Sequence, residues 1–320
     1  MSKPLLNLTE IPFDKLEILL QKVQLRMLLS IQTSPEFCSN TKINASTAAS
    51  YHLQAGGQRF RAKLGLAAAS ALGLSERDAV AISACVELLH NASLIHDDLQ
   101  DGDVLRRGLP TVWSKFGKNL ALCCGDLMLS SAYSVLADIT KPEKLGALLA
   151  LVHQRTSSAI SGQCADLEEL NAEGDTVEQY LAVAKAKSGA LLGLPLELAL
   201  LVAESEGYVP VAQNACENFA VSYQILDDIQ DLEIDIKRAR MRRSPLDAAV
   251  LNIVLLMKIN SSMAEAITNA VELAMEHLAK CEATAARLPQ HAGSLLISYC
   301  AIMRSKLQAS FTFITNCEAA

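Results

Sequence analysis

Apolar residues recur at helical spacing along nearly the whole chain. Leu16, Leu19, Leu20, Val23, Leu28 and Leu29 predict a first helix over residues 12–32, with a polar loop near Thr33 to Asn44. A second helix ends at Gly56-Gly57. Ser75, with Asp78 three residues on, reads as a capping-box-like start. The apolar pattern then runs through Ala81, Cys85, Leu88, Leu89, Ala92 and Ile95, with Gly102 as its stop. Leu120 to Ile139 and Leu145 to Ser161 read as further apolar helices. Gly174 precedes Asp175 and Glu178, a second capping box, and helices follow over roughly 176–187 and 190–205. Val209 to Asp231 predicts a long helix, and three more fill Pro245 to the C-terminus. No segment sustains the period-two alternation of a strand, and no linker or low-complexity stretch divides the chain. The pattern predicts an all-α fold in which residues 1–320 form a single domain around a central cavity.

Composition fits this reading. The 320 residues are 51% hydrophobic with nine Pro, ample material for a large helical core. A net charge of −7 disfavours a nucleic-acid partner. The nine Cys are scattered without a C-x-x-C pair and read as reduced core thiols of a cytoplasmic protein, Cys123-Cys124 included. Met1 to Glu10 lacks the basic and apolar regions of a secretory signal. The longest apolar stretch, Gly189 to Ala203, contains Pro195 and Glu197 and falls short of the ~20 residues a membrane span needs.

One pentad occurs twice: Asp97-Asp98-Leu99-Gln100-Asp101 and Asp227-Asp228-Ile229-Gln230-Asp231, each closing an apolar helix. On a helix, Asp97 and Asp101 lie one turn apart on one face, as do Asp227 and Asp231, with the middle Asp about 100° round. Carboxylates stacked in this way repel unless positive charge lies between them, and hard oxygen ligands suit Mg²⁺ shared with a phosphate-bearing substrate. A single D-D-x-x-D is a weak motif; recurrence in different surroundings argues against coincidence. Two such pairs suggest a diphosphate held between two helices. His96 beside the first pair is a poor Mg²⁺ ligand, and Asp126 reads as capping or orienting a helix.

Basic residues extend the pattern. Arg106-Arg107-Gly108 follows the first pentad, Gly56-Gly57-Gln58-Arg59-Phe60-Arg61 and His90 precede it, and Gly162-Gln163 with Asp166, Lys187-Ser188 and Phe219 through Tyr223-Gln224 precede the second. Across residues 50–235 these motifs, in this order, resemble the trans-isoprenyl diphosphate synthases. That resemblance implies an isoprenoid-synthase helical bundle with a deep cavity, usually a homodimer, that condenses isopentenyl diphosphate with an allylic diphosphate. It implies that Asp97, Asp101, Asp227 and Asp231 hold Mg²⁺, three ions per site with substrate bound, with Asp98 and Asp228 as nearby acids. Arg106 and Lys187 would add charge on the allylic diphosphate. Ser188, Gln224 and main-chain carbonyls near Lys187 would face the allylic cation, while Arg61, His90 and Arg107, with Gln58, would hold isopentenyl diphosphate.

The chain departs from the family pattern at Gln58, where the family has lysine, and after the second pentad. There Leu232-Glu233-Ile234-Asp235 replaces a G-D, and the K-x-x-G-x-D and K-x-T elements near 245–255 are missing. Lys237, Arg238, Arg240, Arg242 and Arg243 read either as replacement charge or as a mobile basic loop. The alternative to an active transferase is a catalytically weak partner or regulatory subunit of the same fold; a terpene cyclase fits less well, because Arg61, His90 and Arg107 are retained.

Ala92 and Ser93, five and four positions before Asp97, are small where short-chain members carry an aromatic. The cavity floor is therefore expected one turn lower, at Leu88 and Leu89, giving a product of about twenty carbons, with fifteen as the alternative. Replacing Ala92 with Tyr should shorten the product; an unchanged chain length on chromatography would refute this reading.

Overall fold

The computed structural model describes residues 11–32, 44–167, 176–241, 252–259 and 261–318. Cys38, Gly174, Asp175, Arg242, Arg243 and Pro245, and the side chains of Arg238, Arg240 and Cys317, lie outside that description. The chain divides into two compact units, Met1–His153 with Leu194–Gly207, and Gln154–Gly193 with Tyr208–Ala320.

The first unit contains α1 (Phe13–Ser30), α2 (Ala45–Gln54), α3 (Phe60–Ala71), α4 (Glu76–Asp101), the two-residue strands β1 (Leu105–Arg106) and β2 (Leu109–Pro110), α5 (Val112–Phe116) and α6 (Lys118–Ser134). Helix α7 (Leu145–Leu167) begins here, and α9 (Ala190–Val202) returns to it. α4 is the core element, packed by α1, α3 and α6 and buried almost without interruption from Ala79 to Ala92. α3 is not anticipated by the apolar pattern. Its run of small residues has little periodicity, yet Ala62, Gly65, Ala68 and Ala69 are all buried because they permit close approach. A Cβ at Gly65 would lie 2.7 Å from Ser83 Oγ of α4.

Helix starts follow capping chemistry. Ser75 Oγ accepts from the Asp78 N–H at 3.1 Å, as the sequence predicts. The buried Asp78 carboxylate also accepts from the Thr140 N–H at 2.7 Å and the Thr140 hydroxyl at 2.8 Å, tying α4 to the turn that leads into α7. The box expected at Asp175 and Glu178 is corrected by one residue. Thr176 and Gln179 bond reciprocally at the start of α8 (Val177–Ala184), since the Thr hydroxyl and the Gln amide occupy the cap and third positions.

The second unit contains most of α7, then α8, a π-helical turn at Lys185–Gly189, α10 (Val209–Gln230), α11 (Leu232–Met241), α12 (Ile253–Lys258), α13 (Met263–Ala285) and α14 (Ser294–Glu318). α10 packs along α13. Ser222 donates to the Ala274 carbonyl at 2.9 Å, and His277 Nδ1 meets Asn218 Oδ1 at 2.6 Å. Burial, then the charges of Lys280 and Lys185, lower the His277 imidazole to about 4, so it packs as a neutral ring. α11 corrects the loop alternative for Lys237, Arg238 and Arg240, which lie within a helix whose start has the Asp235 N–H on the Asp231 carbonyl at 2.9 Å; Arg242 and Arg243 lie outside the described residues.

Among the described residues, the cysteines divide. Cys85, Cys124, Cys216, Cys281 and Cys300 are buried, whereas Cys123 and Cys164 are exposed, so Cys123 is not core. Two helical segments, Glu76–Asp101 and Lys118–Asp138, are long and apolar enough to cross a bilayer by length and composition alone, a test that a buried core helix also passes. The apolar window of the first is 72% buried inside the protein, so packing within the fold accounts for its apolarity.

The Asp78 carboxyl is held below its ordinary value: burial pushes it up, and hydrogen bonds from Thr140 and Ser75 outweigh burial. A carboxyl lowered by folding stabilises above its unfolded value, about 3.9, and that contribution is lost as pH falls through the folded value. Asp78→Ala should therefore cost about 1–3 kcal/mol in urea unfolding at pH 7. The gap from the parent protein should close as the pH drops below about 3.9; a gap of constant size across that range would contradict the assignment.

Candidate active site

In the first unit the pentad ends α4. Asp97 is half-buried, Asp98 buried and Asp101 exposed, and Gly102 stops the helix with φ +72°. The chain then returns as a hairpin whose register, Leu105 with Pro110 and Arg106 with Leu109, leaves Arg107 and Gly108 as a two-residue turn. Both have positive φ, 54° and 76°, as a type I′ turn demands. The hairpin folds Arg106 back onto the helix it follows: Nε and Nη2 lie 2.7 and 2.6 Å from Asp98 Oδ1. Asp98 Oδ2 is buried with no hydrogen-bond partner among the described residues. Burial raises the Asp98 carboxyl, and Arg106 opposes the rise.

The same turn delivers Arg107 to the loop at Gly56 and Gly57, where its Nη1 donates to the Gly56 carbonyl. A Cβ on Gly57 would lie 2.8 Å from the guanidinium, which could shift to make room, but φ there is +142°, and that backbone conformation favours glycine. His90, half-buried on α4, is held well below its ordinary value by burial and then by Arg61, Arg107 and Arg106. The fold thus brings Arg61, His90 and Arg107 into one electropositive cluster with a neutral imidazole. Arg59 is not part of a substrate-ready set, since it pairs with Glu87 at 3.3 Å and donates to the Leu53 carbonyl at 3.0 Å. Gln58 is exposed and lines a hollow of about 290 Å³ with Arg59 and Lys63. Leu88, Leu89 and Ala92 are buried in α4, and Ser93 is half-buried with its hydroxyl on the His90 carbonyl. His96 lies over Gly125 of α6, where a Cβ would collide with the imidazole, and Nε2 is 3.9 Å from Asp126. Asp126 sits mid-helix and does not cap α6, a correction to its expected role.

In the second unit, Lys187 and Ser188 lie half-buried on the π-helical turn, a local irregularity often found at functional sites. Gly162 of α7 explains its placement. A Cβ there would collide with the Lys187 backbone nitrogen, so only glycine lets the turn seat on α7, where Lys187 pairs with Asp166. On α10, Asp227 is half-buried, Asp228 buried and Asp231 exposed. Asp228 Oδ1 accepts from Gln224 Nε2 at 3.0 Å and Oδ2 from the Ile253 N–H at 2.9 Å, with the Tyr180 hydroxyl beside it. Burial raises Asp228 to about 6 despite these donors. Burial, followed by Asp231 and Asp228, raises Asp227 to about 7, and Lys306 of α14 opposes the rise. No signal in the sequence points to Tyr180 or Lys306. Asn252 is legible as an N-cap ahead of the apolar run Ile253 to Leu256.

The donor set fits Mg²⁺. In each unit the candidate donors are carboxylate oxygens, and in the second the Asp227 carboxyl, raised to about 7 by burial and then by Asp231 and Asp228, gains from added positive charge nearby. Among the described residues no three of His, Cys, Asp or Glu converge to cage a metal.

The sequence pattern of polyprenyl synthetases matches residues 44–281. The chain belongs to the polyprenyl synthetase family. Members of this family are generally Mg-dependent. The chain is 36% identical over 174 residues to a (2E,6E)-farnesyl diphosphate synthase of Mycobacterium tuberculosis, covering 54% of this chain and 48% of that protein. It is 35% identical over 195 residues to the farnesyl diphosphate synthase of Bacillus subtilis, covering 57% and 64%. It thus spans about half the length of the first of these relatives. Its fold is that of the geranylgeranyl pyrophosphate synthetase of Pyrococcus horikoshii, with a TM-score of 0.75 at 23% identity over 91% of this chain and 97% of that one. The all-α architecture expected from periodicity is therefore the family's.

Gly162→Ala should displace the Lys185–Gly189 turn and destabilise the protein by about 1–3 kcal/mol, with faster hydrogen exchange across that turn. A variant that melts and exchanges like the parent would show that the close approach is not required.

Proposed function

We propose that this chain is a prenyl transferase that joins isopentenyl diphosphate to an allylic diphosphate, forming a trans-prenyl diphosphate of about twenty carbons, or fifteen. One observation carries the reading: in both pentads the middle Asp is buried and bonded within the protein, while the first and fifth, Asp97 with Asp101 and Asp227 with Asp231, share a helix face. Family membership and the names of the relatives support it.

These four carboxylates would hold Mg²⁺, three ions per site. When bound, Mg²⁺ supplies the positive charge that stabilises the departing diphosphate. Arg106 and Lys187 add fixed positive charge to the allylic diphosphate, and Asp98 and Asp166 keep those two side chains extended and oriented. Ser188 and Gln224 present neutral dipoles to the allylic cation that follows C–O cleavage; a stronger nucleophile there would trap it. Arg61 and Arg107 bind isopentenyl diphosphate. Neutral His90 contributes a hydrogen bond without adding a charge that would repel the two guanidiniums. The alkene of isopentenyl diphosphate attacks the cation, and the released diphosphate takes the proton, so no dedicated side-chain base is needed. Gln58 in place of lysine weakens the hold on isopentenyl diphosphate relative to the family pattern. A cytoplasmic homodimer completes the proposal.

Purified protein with Mg²⁺, labelled isopentenyl diphosphate and a five-, ten- or fifteen-carbon allylic diphosphate should yield condensation products whose length is read by chromatography. No product with any primer, while Mg²⁺-dependent diphosphate binding persists, would overturn the transferase in favour of a partner subunit.

A further inference from the structure

The end of α10 leaves its last carbonyls without helical donors and its acidic residues close to one another. What meets both needs comes from outside the helix. Asn252, 1% exposed, is the N-cap of α12, and every hydrogen-bonding function of its side chain is in use. Its Oδ1 accepts from the Val254 N–H at 2.9 Å and the Leu255 N–H at 3.4 Å, which caps α12. Its Nδ2 donates to the Asp228 carbonyl at 2.8 Å and to Asp235 Oδ2 at 2.9 Å. The next residue, Ile253, gives its N–H to the Asp228 carboxylate at 2.9 Å. Asp228 is thus gripped by its backbone and its side chain from one dipeptide, and the same amide engages the Asp235 carboxylate on α11.

A cap needs only the acceptor. The two donor bonds have no part in starting α12; they fix the last turn of α10 and the first of α11, which flank Asp227 and Asp231. We propose that Asn252 is a positioning residue for the second acidic motif: it locks Asp228 inward, which sets the rotation of the helix end that presents Asp227 and Asp231. The carboxamide suits this because it donates and accepts in one plane at no net charge, next to two carboxylates. The role of that motif in binding diphosphate rests on the function proposed above; the locking of the helix end does not.

Asn252→Asp separates the two jobs. Aspartate caps a helix as well as asparagine, but it cannot donate, and it adds a third negative charge beside Asp228 and Asp235. Two readouts apply. Hydrogen exchange across residues 226–236, measured without metal or substrate, should accelerate at least tenfold in N252D, and Mg²⁺-dependent binding of inorganic diphosphate by calorimetry should weaken about tenfold. Adding Asp235→Asn places a donor opposite the introduced carboxylate and should restore most of the exchange protection. Exchange like the parent's in N252D would reduce Asn252 to a cap and overturn the proposal, as would a loss that D235N fails to reverse. If the parent protein forms no condensation product yet the exchange results hold, the transferase reading falls and the positioning role of Asn252 stands.

Discussion

A carboxylate buried at the end of an apolar helix is the constraint on which this structure turns. Burial costs several kcal/mol unless donors replace water, so each middle aspartate recruits structure from elsewhere in its unit. Asp98 recruits a guanidinium: the hairpin folds back so that Arg106 reaches it, and the tight turn which makes that possible sets Arg107 over Gly56 and Gly57. Asp228 recruits neutral donors, the Gln224 amide and the Ile253 N–H, and brings the start of α12 with them. The same five-residue pattern is therefore satisfied by charge in one unit and by dipoles in the other. In each, what surrounds the buried aspartate is also what carries the neighbouring functional groups.

Missing side chains do similar work. At Gly57, Gly125 and Gly162 a single Cβ would meet, respectively, the Arg107 guanidinium, the His96 ring and the Lys187 backbone. Two of these place a cation of the site, and the third seats the histidine that stands beside Asp97. The demand is strictest at Gly162, where the obstructing atoms are backbone; at Gly57 and Gly125 a larger residue would instead displace the Arg107 or His96 side chain.

Much of this is legible in the sequence, for physical reasons. α1 and α10 carry 3.6-residue periodicity, α4 is marked by its unbroken apolar run between a Ser75 cap and Gly102, and the two pentads declare themselves by repetition. Other parts are hidden. α3 is rich in alanine, which favours a helix without marking a face, and α11 follows the second pentad with charged residues that read as loop because they bury little. The capping box slips by one residue because Asp175 with Glu178 and Thr176 with Gln179 both satisfy the capping-box spacing, so the sequence pattern alone does not choose between them. The pairings of Arg106 with Asp98 and Lys187 with Asp166 need coordinates, since each depends on a turn whose direction no local pattern specifies. Asp126 and Cys123 mislead because a helical residue next to a buried one can face solvent.

The first unit is also discontinuous in sequence. Residues 1–153 are completed by Leu194–Gly207, where Lys141 pairs with Glu204, Lys144 pairs with Glu206, and Pro195 lies against Gly65. On a ribosome, residues 154–193 must be made before those partners exist, so the N-terminal half waits, incompletely covered, while part of its neighbour is synthesised. A cut after His153 removes its own last helix along with the second unit. The segment that completes the first unit is thus reached only after residues 154–193 of the second have been synthesised, although it still precedes the second acidic motif at Asp227.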